Sequence, residues 1–175
     1  MLVGGCGRGQ RVVQKEKFRT FRGYTLLAQE GGGLTPGMED YLEMIYRLAA
    51  REGFTRIQEL AEALNVQPSS ATKMVQRLAE GRYLIYEKYG VIKLTALGKQ
   101  IGEELLARHN TLREFLAIIG ATGHLLEDTE KIEHNLSQET LACITRLVKF
   151  FRERPECLAS FYDYCRQLDN AGGEL

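Results

Sequence analysis

The chain has 175 residues, 44% of them apolar and 26% charged, which is room and material for one or two small globular domains and excludes wholesale disorder. No apolar run is long enough to span a membrane, no secretory pattern opens the chain, and its four cysteines (Cys6, Cys143, Cys157, Cys165) contain no Cys-x-x-Cys pair, so the expectation is a cytoplasmic protein with reduced thiols, no membrane partner and no thiolate zinc site. The 23 basic and 23 acidic residues cancel overall but not locally: net charge is +4 over 1–33, −2 over 34–53, +2 over 54–94 and −4 over 95–175, a modest electrostatic footprint for a polyanion in the middle of the chain.

Residues 1–33 are rich in Gly and Arg, lack periodicity and end in three glycines. They read as a disordered basic extension or as a mis-assigned start. Gln29-Glu30-Gly31-Gly32 can be encoded by a purine-rich stretch like a ribosome-binding site, so translation from Leu34, giving 142 residues, is the expectation. From Pro36 a helical stripe begins with Met38, Tyr41, Leu42, Ile45 and Leu48, and it ends by Gly53. Thr55 is expected to cap a second helix, with Thr55-x-x-Gln58 at capping-box spacing and Ile57, Leu60, Ala61 and Leu64 inward. Pro68-Ser69-Ser70 opens a third, with Ala71, Met74, Val75 and Leu78 inward, closing at Gly81.

The period then shifts to that of strands. Residues 83–88 and Val91-Ile92-Lys93-Leu94 flank Tyr89-Gly90, the pattern of a β-hairpin. Thr95 caps a long helix to about Ile119, with Leu97, Ile101, Leu105, Leu112 and Leu116 expected on its apolar side. Helices over roughly 125–135, 138–152 and 155–167 follow, with Ser137 as a cap. The fold class expected is mainly α: a winged helix-turn-helix over 34–104, then an all-helical segment over 105–175.

In a winged helix-turn-helix the third helix presents its N-terminal end to base edges in the major groove of double-stranded DNA. That end carries Pro68, Ser69, Ser70, Thr72 and Lys73, with Gln76 and Arg77 a turn later; the hairpin adds Lys88 and Lys93. Small hydroxyl residues permit close approach, and the cations reach phosphates. Element order alone also describes helical domains that bind protein, and the serines can be simple caps.

Asp40 and Glu43 stand three apart on one helical face, and Glu130, Glu133 and His134 share another; a lone His109 lies on the long helix. If these helices meet, four carboxylates match the charge of two divalent cations, and an oxygen-rich site with some imidazole suits Mn(II) or Fe(II). Each piece alone is more often a solvated face or a pair of first-turn acids. A di-metal carboxylate enzyme in a helical bundle is the rival from another class. It wants paired Glu-x-x-His motifs, and here only one Glu-x-x-Glu-His occurs.

Leu34-Thr35-Pro36-Gly37-Met38-Glu39-Asp40-Tyr41-Leu42-Glu43, Gln67-Pro68-Ser69-Ser70-Ala71-Thr72-Lys73-Met74-Val75-Gln76, Tyr83-Leu84-Ile85-Tyr86-Glu87-Lys88-Tyr89 and Ile132-Glu133-His134 together resemble the manganese transport regulators, a branch of the diphtheria-toxin-repressor family. The resemblance covers nearly all of 34 to about 152. It implies a homodimeric, metal-activated repressor, not an enzyme, that binds the operators of manganese-uptake genes. The implied dimerisation and metal-binding domain is 105–175, and two Mn(II) per subunit are held by Asp40, Glu43, His109, Glu130, Glu133 and His134. The iron-responsive branch places a Met and a Cys among its ligands where Asp40 and Glu130 stand here, which favours manganese; an iron- or zinc-responsive regulator of the same family is the alternative.

Overall fold

The computed structural model describes residues 34–172; residues 1–33, the expected basic extension or mis-assigned start, lie outside the described residues, as does Cys6. Helix α1 spans Pro36–Ala49 and buries Leu42 and Ile45 completely, the stripe that the periodicity predicts. Strand β1 (Thr55–Arg56) follows, then α2 (Ile57–Ala63) and α3 (Pro68–Glu80). Pro68 occupies the first turn of α3, where its missing N–H removes a donor that the helix could not satisfy anyway. Ala71, Val75 and Leu78 are fully buried, so the opposite face of α3 is turned outward.

The expected cap of α2 is displaced by one residue. Thr55 is a strand residue, paired with Ile92 and fully buried, and its hydroxyl donates to Glu59 Oε2 at 2.7 Å. Glu59, not Gln58, reaches back to the Arg56 backbone N–H at 3.1 Å. A strand two residues long gave no period to read.

Strand β2 (Leu84–Tyr86) and β3 (Val91–Leu94) form the wing, joined through a 3₁₀ turn at Lys88–Gly90, and the sheet order is β1-β3-β2, all antiparallel. Tyr89 and Gly90 both take positive φ (62° and 75°), as the expected turn at that dipeptide requires. Leu84, Ile92 and Leu94 point into the core while Ile85 and Lys93 face out.

Helix α4 (Ala96–Ile118) is 23 residues long, roughly 35 Å at the usual rise, and runs from the wing to the helices that follow. Thr95 caps it as predicted, accepting from Gly98 N at 3.1 Å. Leu97, expected inward, is 48% exposed. Gly98 takes the inward place, because a Cβ there would stand 1.8 Å from the Tyr83 carbonyl oxygen. One turn on, a Cβ at Gly102 would meet the Tyr46 side chain at 2.7 Å, so this glycine lets α1 lie close against α4. That close approach brings the acidic face of α1 toward His109.

Helices α5 (Leu125–Glu133), α6 (Gln138–Glu153) and α7 (Pro155–Gly172) complete the described residues. Ser137 caps α6, accepting from Thr140 N at 3.1 Å. α5 and α6 pack on α4, and α7 packs on α6 with Phe151 and Phe161 ring centroids 5.8 Å apart. Cys143, Cys157 and Cys165 are free thiols. The described architecture is a winged helix-turn-helix followed by an all-helical half, in which α7 runs to Gly172, five residues past its expected end.

Candidate functional site

Three helices supply six side chains to one junction. α1 brings Asp40 and Glu43 on one face, α4 brings His109, and the last turn of α5 brings Glu130, Glu133 and, at its C-terminal boundary, His134. His109 Nδ1 donates to Glu133 Oε2 at 3.0 Å and lies 3.7 Å from Glu130 Oε1 and 4.0 Å from Glu43 Oε1. His134 Nε2 lies 2.8 Å from Asp40 Oδ1 and 3.4 Å from Glu133 Oε1.

The donor atoms fall into two overlapping sets. Asp40, Glu130, Glu133 and His134 offer ligand atoms all within 4.8 Å of one another, and so do Glu43, His109 and Glu133. Glu133 belongs to both, and its side chain is 2% exposed. The residues fit divalent cations on two further grounds. Asp40 Oδ1 is a buried oxygen with no well-aligned hydrogen bond, although His134 Nε2 stands 2.8 Å away. The donors are oxygens and imidazole nitrogens with no thiolate, the set that suits Mn(II) or Fe(II).

Burying Glu43 and Glu133 without compensation is unfavourable, and the local protonation equilibria register it. The Asp40 carboxylate at Nε2, and Glu39 at Nδ1, push the His134 imidazole up to about 10 against the opposing effect of burial. The bond to Glu133 raises His109 in the same way. Glu130 is raised by burial and then by the charge of Glu133. Arg47 stands over Glu43, its Nε donating at 2.9 Å, a pair that i,i+4 spacing makes legible in sequence.

Two participants escape a sequence reading. Glu39 accepts from Arg108 Nη2 at 2.7 Å and lies 2.8 Å from His134 Nδ1. Burial alone would raise the Glu39 carboxyl, but the bonds from His134 and Arg108 together hold it below its ordinary value. Each residue directly precedes an expected ligand, so helical spacing assigns it to a different face; only the packing of α1, α4 and α5 joins them.

The expected DNA-reading residues form a second, separate surface. Pro68, Ser69, Ser70, Lys73, Gln76 and Arg77 are all exposed along the outer side of α3. Thr72 is half-buried and its hydroxyl is already bonded to the Pro68 carbonyl at 2.8 Å. Lys93 is exposed on β3 but its ammonium donates to both oxygens of Glu87, at 3.0 and 3.2 Å, which offsets part of the charge the wing was expected to carry. The side chain of Lys88 lies outside the described residues. Among the described residues no helix is long and apolar enough to cross a membrane.

Residues 33–92 match the family described as iron dependent repressor, N-terminal DNA binding domain, and residues 95–160 match iron dependent repressor, metal binding and dimerisation domain. An HTH-type transcriptional regulator MntR of Listeria welshimeri serovar 6b is 48% identical over 125 residues, covering 71% of this chain and 88% of that protein. The solved manganese regulator SloR has the same fold, with a TM-score of 0.59 at 24% identity over 67% of this chain and 55% of that one. The apo form of the manganese-activated repressor ScaR gives 0.52 at 29% identity, over 62% and 53% respectively, so the chain spans only slightly more than half the length of these two solved structures. With both halves of one family matched in order, and a relative this similar along most of its length, the chain belongs to the iron dependent repressors, the diphtheria-toxin-repressor family of metal-dependent transcriptional regulators, and not to a class of enzymes.

Proposed function

We propose that the chain is a Mn(II)-activated homodimeric repressor acting in the cytoplasm on the operators of manganese-uptake genes. Residues 34–104 read double-stranded DNA and residues 105–175 carry the dimer and most of the metal site. Asp40, Glu130, Glu133 and His134 hold one cation and Glu43, His109 and Glu133 the other, two per subunit. The observation that carries this reading is Glu133, a buried carboxylate shared by two donor sets built from three helices. The Mn(II)-regulator names of the relatives and the oxygen-rich donor set support manganese over the thiolate-binding metals.

Bound cations supply positive charge between the carboxylates and bonds that join α1 to α4 and α5. The rest follows from the chain's own residues. Asp40 and Glu43 sit on α1, the first helix of the winged half, and Glu130 and Glu133 sit beyond the long helix. Their mutual repulsion loosens the junction, and its relief fixes the orientation of the outer face of α3. Two such faces in a dimer must match half-sites about one helical turn apart, roughly 34–36 Å. A dimer whose arms wander loses conformational entropy on binding DNA, and one already fixed loses less. By linkage, operator DNA tightens metal binding by the same factor.

An electrophoretic shift with operator DNA, on protein first stripped by chelation, tests the reading. Mn(II) restores the shift in the expected result. Restoration by Fe(II) or Zn(II) but not Mn(II) assigns the protein to another metal, and a shift indifferent to metal overturns the switch.

A further inference from the structure

Next to the two donor sets lie two side chains that neither set includes, Glu39 of α1 and Arg108 of α4, which form a trio with the outer nitrogen of His134, a member of the first set. One oxygen, Glu39 Oε2, takes both contacts, from Arg108 Nη2 at 2.7 Å and His134 Nδ1 at 2.8 Å. The trio is sheltered, with side-chain exposures of 22% for Glu39, 15% for Arg108 and 12% for His134.

An ionised carboxylate has no hydrogen to give, so His134 Nδ1–H donates to Glu39. Arg108 Nη2 also stands 3.4 Å from that nitrogen, but the shorter, charge-assisted contact to the carboxylate decides which nitrogen keeps its hydrogen. In the neutral ring the lone pair is then left on Nε2, which faces Asp40 Oδ1 and Glu133 Oε1. The ring is held at its outer edge and its free lone pair is turned inward, the orientation a ligating imidazole needs. Glu39 is itself absent from both donor sets.

We propose that Glu39 is a positioning residue for a divalent cation at Asp40, Glu130, Glu133 and His134: its carboxylate fixes the tautomer and direction of His134, and Arg108 holds that carboxylate in place. The inference rests on the metal-centre reading above.

The test uses the full chain and Mn(II), with free Mn(II) read by its paramagnetic resonance signal at fixed pH and ionic strength. Glu39→Ala is expected to weaken uptake by about 10- to 100-fold, the usual effect of losing a partner behind a ligating histidine. Glu39→Gln is expected to recover most of that loss, because one amide oxygen can accept both bonds that Oε2 accepts now. The resonance line shape of bound Mn(II) should change in the Ala variant and return in the Gln variant, a signature that a mere strap between helices would not produce. Where Glu39→Ala fails to fold, Arg108→Gln decides the same point, since it loosens Glu39 without touching His134 and should weaken uptake in the same direction. Unchanged affinity in Glu39→Ala or Arg108→Gln, or a Gln variant as weak as the Ala variant, overturns the proposal. If the unaltered chain takes up no Mn(II), or Glu133→Ala takes it up equally well, the metal-centre reading falls first and the proposal with it.

Discussion

Leu42, Ile45, Leu60, Val75, Leu78 and Ile92 have no exposed surface in the winged half, whereas the most deeply buried acid at the junction behind it is Glu133, with Glu43 and His109 close by. Each buried aliphatic side chain stabilises by about 1.5–3 kcal/mol with no partner beyond its neighbours. A buried carboxylate is unfavourable unless something neutralises it. Here protons on the two imidazoles and the guanidiniums of Arg47 and Arg108 do part of that work. The cohesion of the winged half therefore rests on apolar burial and not on charge. On the proposed function, the cohesion of the junction depends on what cations are present. A regulator needs both, because a switch that melted its own reading head would release DNA without being able to rebind it.

The contrast is sharpest in the core. Leu42→Ala removes a fully buried side chain from α1 and should destabilise the protein by about 2–5 kcal/mol, read by denaturant unfolding. The loss should be the same with chelator or with Mn(II), apart from the constant gain that bound metal adds. A loss seen only in the metal-free protein would mean that α1 depends on the junction for its place, and the division into two regimes would fail.

Glu133→Ala probes the other side. It removes the donor common to both sets, so Mn(II) affinity should fall by more than about 100-fold, beyond the range expected for a partner behind a ligand. Mn(II) at a hundred times the unaltered Kd should raise stability by about 2.7 kcal/mol per occupied site in the parent protein and by almost nothing in the variant. The metal-free variant should melt no earlier than the parent, because the deletion relieves acidic crowding. A variant that unfolds at once would recast Glu133 as a structural partner of His109.

How much of this was legible before folding depends on how local the signal is. The winged order follows from short-range periodicity: the stripes of α1 and α3, the Tyr89-Gly90 turn and the Thr95 and Ser137 caps are all in the places predicted. The errors are local too. Leu97 reads as core by type, but the close approach of Tyr83 reserves the inward place for Gly98. Spacing put Asp40 with Glu43, and Glu130 with Glu133 and His134, on common faces, but only the Gly102–Tyr46 contact and the packing of α5 on α4 bring those faces together. Glu39 and Arg108 carried no periodic signal at all, since their bonds join residues 69 and 95 positions apart.

The two states of the junction should also answer pH in opposite directions. In the metal-free protein His134 is raised to about 10, above its ordinary value of 6.5. Its contribution to stability is therefore complete below about pH 6.5 and is lost as pH rises toward 10. A ligating imidazole must instead be neutral, so metal displaces that proton and apparent Mn(II) affinity rises with pH over the same interval. Displacement of one proton predicts about tenfold per pH unit, hence about 100-fold between pH 6 and 8. Titration with Mn(II) in buffers across that interval, with melting of the chelated protein beside it, checks both slopes. A flat metal affinity would remove His134 from the ligand set.

The smallest effect belongs to the reading face, and it separates that face from the junction. Lys73 is exposed on α3, far in sequence from every acidic member of the proposed metal site, and among the described residues no acid pairs with it as Glu87 pairs with Lys93. A phosphate contact made by one ammonium contributes a sequence-independent share of affinity and about one unit of the logarithmic salt slope. Lys73→Ala should accordingly weaken operator binding and non-operator binding to a similar extent, flatten the salt dependence by about that unit, and leave Mn(II) affinity in the absence of DNA unchanged. Lys93→Ala should flatten the slope by less, because in the free protein that charge is already engaged and must leave Glu87 to reach a phosphate. Equal slopes for the two variants would mean that the wing ion pair opens freely on DNA; a larger change for Lys93→Ala would move the main phosphate contact from α3 to the wing.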